Sequence, residues 1–197
     1  MNRTPRLDDR RDRLIAAAAR LFRQRGYERT SVRQLADAVG ILSGSVFHHF
    51  ASKEDILMAV MTTTIEAMTE RLQAAGCSAT APLERLRALV RTELDLLHGD
   101  TRDGVAVAFF QWHSLGEGNQ TRVLALREDY ERIWLKALEA ARAAGLIRAD
   151  PFITRRLLTG ALGWTIYWYR PDGPLDTDHL AEEIICLVTG RGSPSRH

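Results

Sequence analysis

The sequence predicts an all-α fold, and three observations carry that expectation. Apolar residues recur at helical spacing along most of the chain. No alternating run or hairpin signal interrupts them. Glycines, prolines and Ser or Asp caps fall where successive helical stretches would begin and end. The 197 residues, 45% hydrophobic and 26% charged, have an ordinary globular composition. No apolar run approaches the roughly 18 residues needed to cross a bilayer, and MNRTPRLDDRRDR lacks a secretory hydrophobic segment, so a cytoplasmic chain with no membrane partner is expected. Cys77 and Cys186 lie far apart and form no C-x-x-C pair, which argues for free thiols over a disulfide framework or zinc site.

The elements follow in order. Leu14, Ile15, Ala18, Leu21 and Phe22 form one stripe, so a first helix is expected over residues 9–25, ended by Gly26. Ser31 can cap a second helix whose Val32, Leu35, Ala36 and Val39 share a face, and Gly40 stops it after two turns. Beyond Gly40 a second short helix has Val46 and Phe50 on its inner side and Ser43, Ser45, His48 and His49 outside. Ser52 can cap a long helix carrying Ile56, Leu57, Val60, Met61, Ile65, Met68 and Leu72. Lys53 at its start opposes the helix dipole, which implies some other benefit there. After GCSATAP, helices are expected over residues 82–98, 105–115, 120–144, 151–169, opened by Asp150 and Pro151, and 178–189, about nine in all. RGSPSRH, residues 191–197, reads as a disordered tail.

Charge is uneven. Residues 1–50 hold ten arginines against five acids, so a segment of +5 precedes a remainder of −3 in a chain of net +2. A basic module on an acidic body suits a polyanion partner, although an Arg-rich solvated face fits charge alone equally well. Two short helices around a glycine turn bury little by themselves; their usual purpose is to present the second helix to a DNA major groove. Small residues at its start, Ser43, Gly44 and Ser45, allow close approach, and their hydroxyls can bond phosphate or base edges. Arg33 can reach guanine or phosphate, and His49 and Lys53 flank the reader as phosphate contacts. Rival chemistries fit poorly. Adjacent His48 and His49 point about 100° apart with no H-E-x-x-H, so no metal is expected, and Ser43 sits in no G-x-S-x-G, so no catalytic residue and no enzyme is expected.

GILSGSVFHHFASKEDIL, within residues 14–57, resembles the signature of the TetR family of one-component transcriptional regulators. The resemblance implies a three-helix DNA-binding domain over residues 1–52 with a basic N-terminal arm, an effector-binding and dimerisation domain over residues 53–190, and a homodimer formed by the last two helices. It puts Thr30, Ser31 and Arg33 at the supporting helix, Ser43, Gly44, Ser45, Phe47, His48 and His49 on the recognition helix, and Lys53 at a phosphate clamp. Phe47 departs from the tyrosine common in the family, whose hydroxyl contacts phosphate.

The body carries all four tryptophans. Phe109, Trp112, Trp134 and Trp164 are candidates to line an effector cavity, with Arg156 and Arg170 as cations beside it; core packing accounts for the aromatics equally well. Leu157 and Ala161, with Leu180, Ile184, Leu187 and Val188, form stripes that can pair with their copies in a homodimer. WYRPDGPLDTDHLAEEI is similar to a narrower branch, repressors of lipid and steroid-ring catabolism that respond to acyl-CoA thioesters, and implies such an effector; its phosphates need cations, for which Arg155, Arg156 and Arg170 could serve, although a reading as surface arginines fits them equally well. The expected function is a ligand-responsive repressor of a palindromic operator, with no cofactor. A helical scaffold that binds nucleic acid nonspecifically is the alternative.

Overall fold

The computed structural model describes residues 7–190. The arm with Arg3 and Arg6 and the tail 191–197 lie outside the described residues. Among the described residues the fold is all-α: α1 (Leu7–Arg25), α2 (Val32–Val39), α3 (Ser43–Val46), α4 (Lys53–Ser78), α5 (Pro82–His98), α6 (Arg102–Phe110), a 3-10 turn at Trp112–Ser114, α7 (Glu117–Ala143), α8 (Pro151–Trp168) and α9 (Thr177–Thr189). None of these helices is long and apolar enough to cross a membrane. Cys77 and Cys186 are free thiols.

Contacts gather the chain into two compact units that do not divide at residue 52. The first, here the reader unit, takes residues up to Glu66 together with Thr101–Leu126; the second, the body unit, takes Ala67–Asp100 and the chain from Arg127 onward. The reason lies in the apolar stripe of α4. Ile56, Leu57, Val60 and Met61 join Leu14, Ala18 and Phe22 of α1 and Leu35 and Ala36 of α2 in one core, which Val107, Leu115 and Val123 complete. Each fully buried side chain of that size contributes about 1.5–3 kcal/mol, so a three-helix reader without these partners would lose much of its core. Gly104 lets α6 approach α4 closely: a Cβ there would lie 2.2 Å from the Thr64 hydroxyl. Three polar ties add to this core. Arg23 pairs with Asp103 at 2.6 Å, Tyr27 N–H donates to Gln111 Oε1 at 3.3 Å, and Glu54 Oε1 accepts from Gly116 N–H at 2.9 Å and Asn119 Nδ2 at 2.8 Å.

Instead of one helix over residues 105–115, α6 starts at Arg102 and ends at Phe110. Gln111 takes φ −108° and ψ 3°, and the chain tightens into the 3-10 turn before Leu115 extends. In the body unit α5 packs against α8 and α9. Pro82 opens α5 at a position that needs no N–H, and Asp150 caps α8 by accepting from Phe152 and Ile153 N–H.

Candidate nucleic-acid interface

Gly26 ends α1 at φ 85°, a conformation that costs glycine nothing, and Tyr27 then turns its ring edge-on to Phe22. Thr30 donates its hydroxyl to Gly26 O at 2.8 Å and is buried. It therefore supports the turn from inside. Ser31 forms a full capping box: its Oγ accepts from Gln34 N–H at 3.2 Å, and Gln34 Oε1 accepts from Ser31 N–H at 2.9 Å. Gly40, at φ 70°, closes α2 in the left-handed region and sends the chain into α3.

α3 is a single turn, followed by tight bonds from His48 N–H to Ser45 O and from His49 N–H to Val46 O. Val46 and Phe50 anchor it in the core, while Gly44, Phe47 and His48 are exposed and Ser43, Ser45 and His49 are half-buried. Phe47 is 57% exposed, so it does not pack into the protein. Arg33 on α2 is exposed as well. A Cβ on Gly44 would meet nothing within 4 Å, so packing inside the chain does not require glycine there.

Lys53 does not project freely. Its Nζ donates to Tyr27 O at 3.0 Å and sits 4.1 Å above the Tyr27 ring. That tie accounts for a cation at a helix start. The dipole is met by Glu54 and Asp55 in the first turn, and Ser52 Oγ accepts from Asp55 N–H at 3.1 Å. Among the described residues no group of three His, Cys, Asp or Glu side chains is placed to hold a metal.

The body unit holds a buried polar cluster. Arg155 donates through Nε and Nη2 to the two oxygens of Glu131, at 3.2 and 3.1 Å, and through Nη2 to Tyr130 OH at 3.0 Å. Its Nη1 lies 3.5 Å from Glu93 Oε2, and its guanidinium rests 4.6 Å from the Trp134 ring centre. Glu93, Trp134 and Arg155 are all buried. Burial pushes the Glu93 carboxyl above its usual range, and Arg155 only partly opposes that. Desolvation works against the Arg155 charge, but the nearby Glu93, Tyr130 and Glu131 outweigh it, so Arg155 stays protonated. Arg155 is thus spent on Glu93 and Glu131, which corrects its expectation as a phosphate contact. Glu93 carried a signal in the sequence that went unread, a carboxylate inside the stripe Leu86, Leu89, Val90, Leu94 and Leu97.

Residues 79–190 match the tetracyclin repressor-like C-terminal domain, and residues 14–60 match the tetR family of bacterial regulatory proteins. The chain belongs to the TetR family. It is a regulatory protein rather than an enzyme. The transcriptional repressor KstR2 of Rhodococcus jostii is 32% identical over 194 residues, 94% of this chain and 92% of the relative. The solved structure of AibR in complex with isovaleryl coenzyme A and operator DNA is 27% identical with a TM-score of 0.84, over 91% of this chain and 98% of that one. The crystal structure of the superantigen PfiT is 50% identical with a TM-score of 0.80, over 94% and 97%.

For this TetR-family chain the residues expected at an effector site are divided between the two units. Phe109 and Trp112, both half-buried, belong to the reader unit. Trp134 lies inside the body under Arg155, whereas Arg156, Trp164 and Arg170 are exposed. Arg156 sits over the Phe152 ring at 4.9 Å, and Trp164 stacks obliquely on Tyr167 at 4.7 Å. The residues expected at a dimer interface split in two. Leu157 is 69% exposed and Leu187 83%, with Ala161 exposed and Val188 half-buried, but Leu180 and Ile184 are buried within the chain. The inner face of α9 is turned to the core by its packing against α5, which periodicity alone could not tell from an outer face. Sequence reasoning also passed over a groove of about 510 Å³ along α4, α5 and α7, where Arg85, Arg132 and Lys136 face Gln73, Cys77 and Asp129. Its cations come from two helices far apart in sequence.

Proposed function

We propose that the chain is a transcriptional repressor that binds a palindromic operator as a homodimer in the cytoplasm and is released by a small hydrophobic effector, an acyl-CoA thioester. The observation that carries the reading is the reader itself: a capped helix, a left-handed glycine turn and a one-turn helix whose outward residues, Gly44, Phe47 and His48, serve no core of their own. Such a segment fits the major groove, with Arg33, Ser43 and Ser45 at base edges or phosphates and Ser31, His49 and Lys53 at the backbone. Lys53 exchanges the Tyr27 carbonyl for a phosphate, a stronger, charge-assisted partner.

The dimer is supported by α8, whose Ile153, Leu157, Trp164 and Trp168 are exposed beside Gly160 and Ala161, small residues that permit close helix approach. On α9, Leu187 is exposed and Val188 half-buried, a second apolar stretch open to a partner. KstR2 is named a repressor, and AibR was solved with isovaleryl coenzyme A and operator DNA. A thioester would use Arg156 and Arg170 for its phosphates and Trp164, exposed in the same unit, for its acyl part.

Site selection from random duplexes followed by footprinting tests the reading. A repressor recovers one palindromic site and holds it at salt that strips it from random DNA. A scaffold that binds nucleic acid nonspecifically recovers no common site. One likeness, the 50% identity to PfiT, favours a second activity, that of a superantigen. Purified protein added to T cells decides it, because a regulator alone leaves them unstimulated.

A further inference from the structure

Leu42 stands at the N-cap of α3 with φ −71° and ψ 144° and makes no side-chain cap bond. That position strongly favours Ser, Thr, Asp or Asn, whose side chains satisfy an orphan N–H. Leu42 does the opposite. It forgoes the cap and leaves 80% of a branched apolar side chain in solvent. It does not belong to the core of the reader unit, in which Ile41, its neighbour, is partly packed. Nothing within the chain is gained by leucine at this place, so the gain lies with what the reader meets.

We propose that Leu42 reads thymine: its side chain packs on the C5-methyl group of a thymine in each operator half-site. The major groove offers one apolar feature, that methyl, and the other base edges there present only hydrogen-bonding groups. Leu42 is the aliphatic side chain next to Ser43 and Gly44, where the reader is small enough for the groove floor to approach. Hydroxyls at Ser43 and Ser45 supply polar contacts, but a hydroxyl bonds either donors or acceptors and discriminates little. Leu42 thus adds a preference that the polar residues of α3 lack.

The inference rests on the repressor reading, and its test separates the two. The operator is selected with the native full chain, then resynthesised with deoxyuridine at each thymine in turn, which removes the methyl and keeps every base-pair hydrogen bond. Affinity should fall about fourfold at one position per half-site, the factor for burying one methyl-sized group. Leu42→Ser supplies the missing cap, so its melting temperature should equal or exceed the native one. It should bind the thymine operator more weakly than the native chain and show no further loss on the uracil operator. Uracil substitutions without effect at every position, or a loss of equal size in both proteins, would overturn the thymine contact while leaving the repressor intact. A selection that recovers no common site would overturn both.

Discussion

At the scale of single residues, the reader spends stability on its partner. Gly44 lies inside α3, where glycine is less favourable than alanine by roughly 0.5–1 kcal/mol, and a Cβ there meets only open space. Gly44→Ala should therefore raise the stability of the folded chain by up to about 1 kcal/mol in denaturant titration while weakening operator binding at least tenfold in gel shift. A variant that gained stability and kept full affinity would show that Gly44 does not face DNA. In the body, Glu93 makes a different trade. Its carboxyl titrates above the usual range because burial penalises the charge, so the folded state holds that proton more tightly than the unfolded chain does. The contribution to stability is then fully present below the ordinary glutamate range and is lost as pH rises through the folded value. Glu93→Gln, neutral at every pH, leaves Glu131 to balance Arg155. The stability of the variant relative to the native chain should increase as pH rises above the ordinary glutamate range. A difference that stays flat over that rise would remove Glu93 as the titrating group.

At the scale of elements, the caps were legible and the assemblies were not. Ser31, Gly40 and Asp150 act through bonds to neighbours two to four residues away and Pro151 through its fixed φ and missing N–H, so their roles could be read locally, and α5 spans the stretch its spacing predicts, Pro82–His98. The intrachain partners of Thr30 and Lys53 were not legible, for the complementary reason. Their partners, the Gly26 carbonyl and the Tyr27 carbonyl and ring, depend on how the loop after α1 folds back. The joining of α4 and α6 to the reader core, and the meeting of Glu93, Glu131 and Arg155 from three helices, are long-range events that no local pattern encodes. The two faces of α9 make the point testable. Leu187 is exposed, so Leu187→Glu should leave the melting transition within about 0.5 kcal/mol of native yet shift sedimentation from dimer to monomer and abolish operator binding. Ile184→Glu instead buries a charge within the chain and should cost several kcal/mol of folding stability. If Leu187→Glu remains dimeric, α9 does not carry the interface.

At the scale of the whole molecule, the question is how an effector changes occupancy of DNA. α4 and α7 each contribute residues to both the reader unit and the body unit, so each unit shares a helix with the one whose state it must report. Sharing a helix does not by itself couple two sites. Effector can release operator only if it binds the DNA-free state more tightly, and the factor by which it weakens DNA must equal the factor by which DNA weakens it. A coupling of about 1–3 kcal/mol, or roughly 5–150-fold, is the ordinary range. Acyl-CoA thioesters should accordingly dissociate the operator complex in gel shift, whereas the free acid or coenzyme A alone, each lacking half of the recognition, should do so poorly. Calorimetric titration of the thioester into free protein and into the operator complex should give affinities that differ by the same factor seen for DNA. Arg156→Ala and Arg170→Ala, at exposed side chains outside α3, should leave operator affinity unchanged and raise the thioester concentration needed for release. A panel of thioesters that neither binds nor releases DNA would remove the coenzyme A assignment, and a thioester that binds without reciprocal effect would make it a ligand but not the effector.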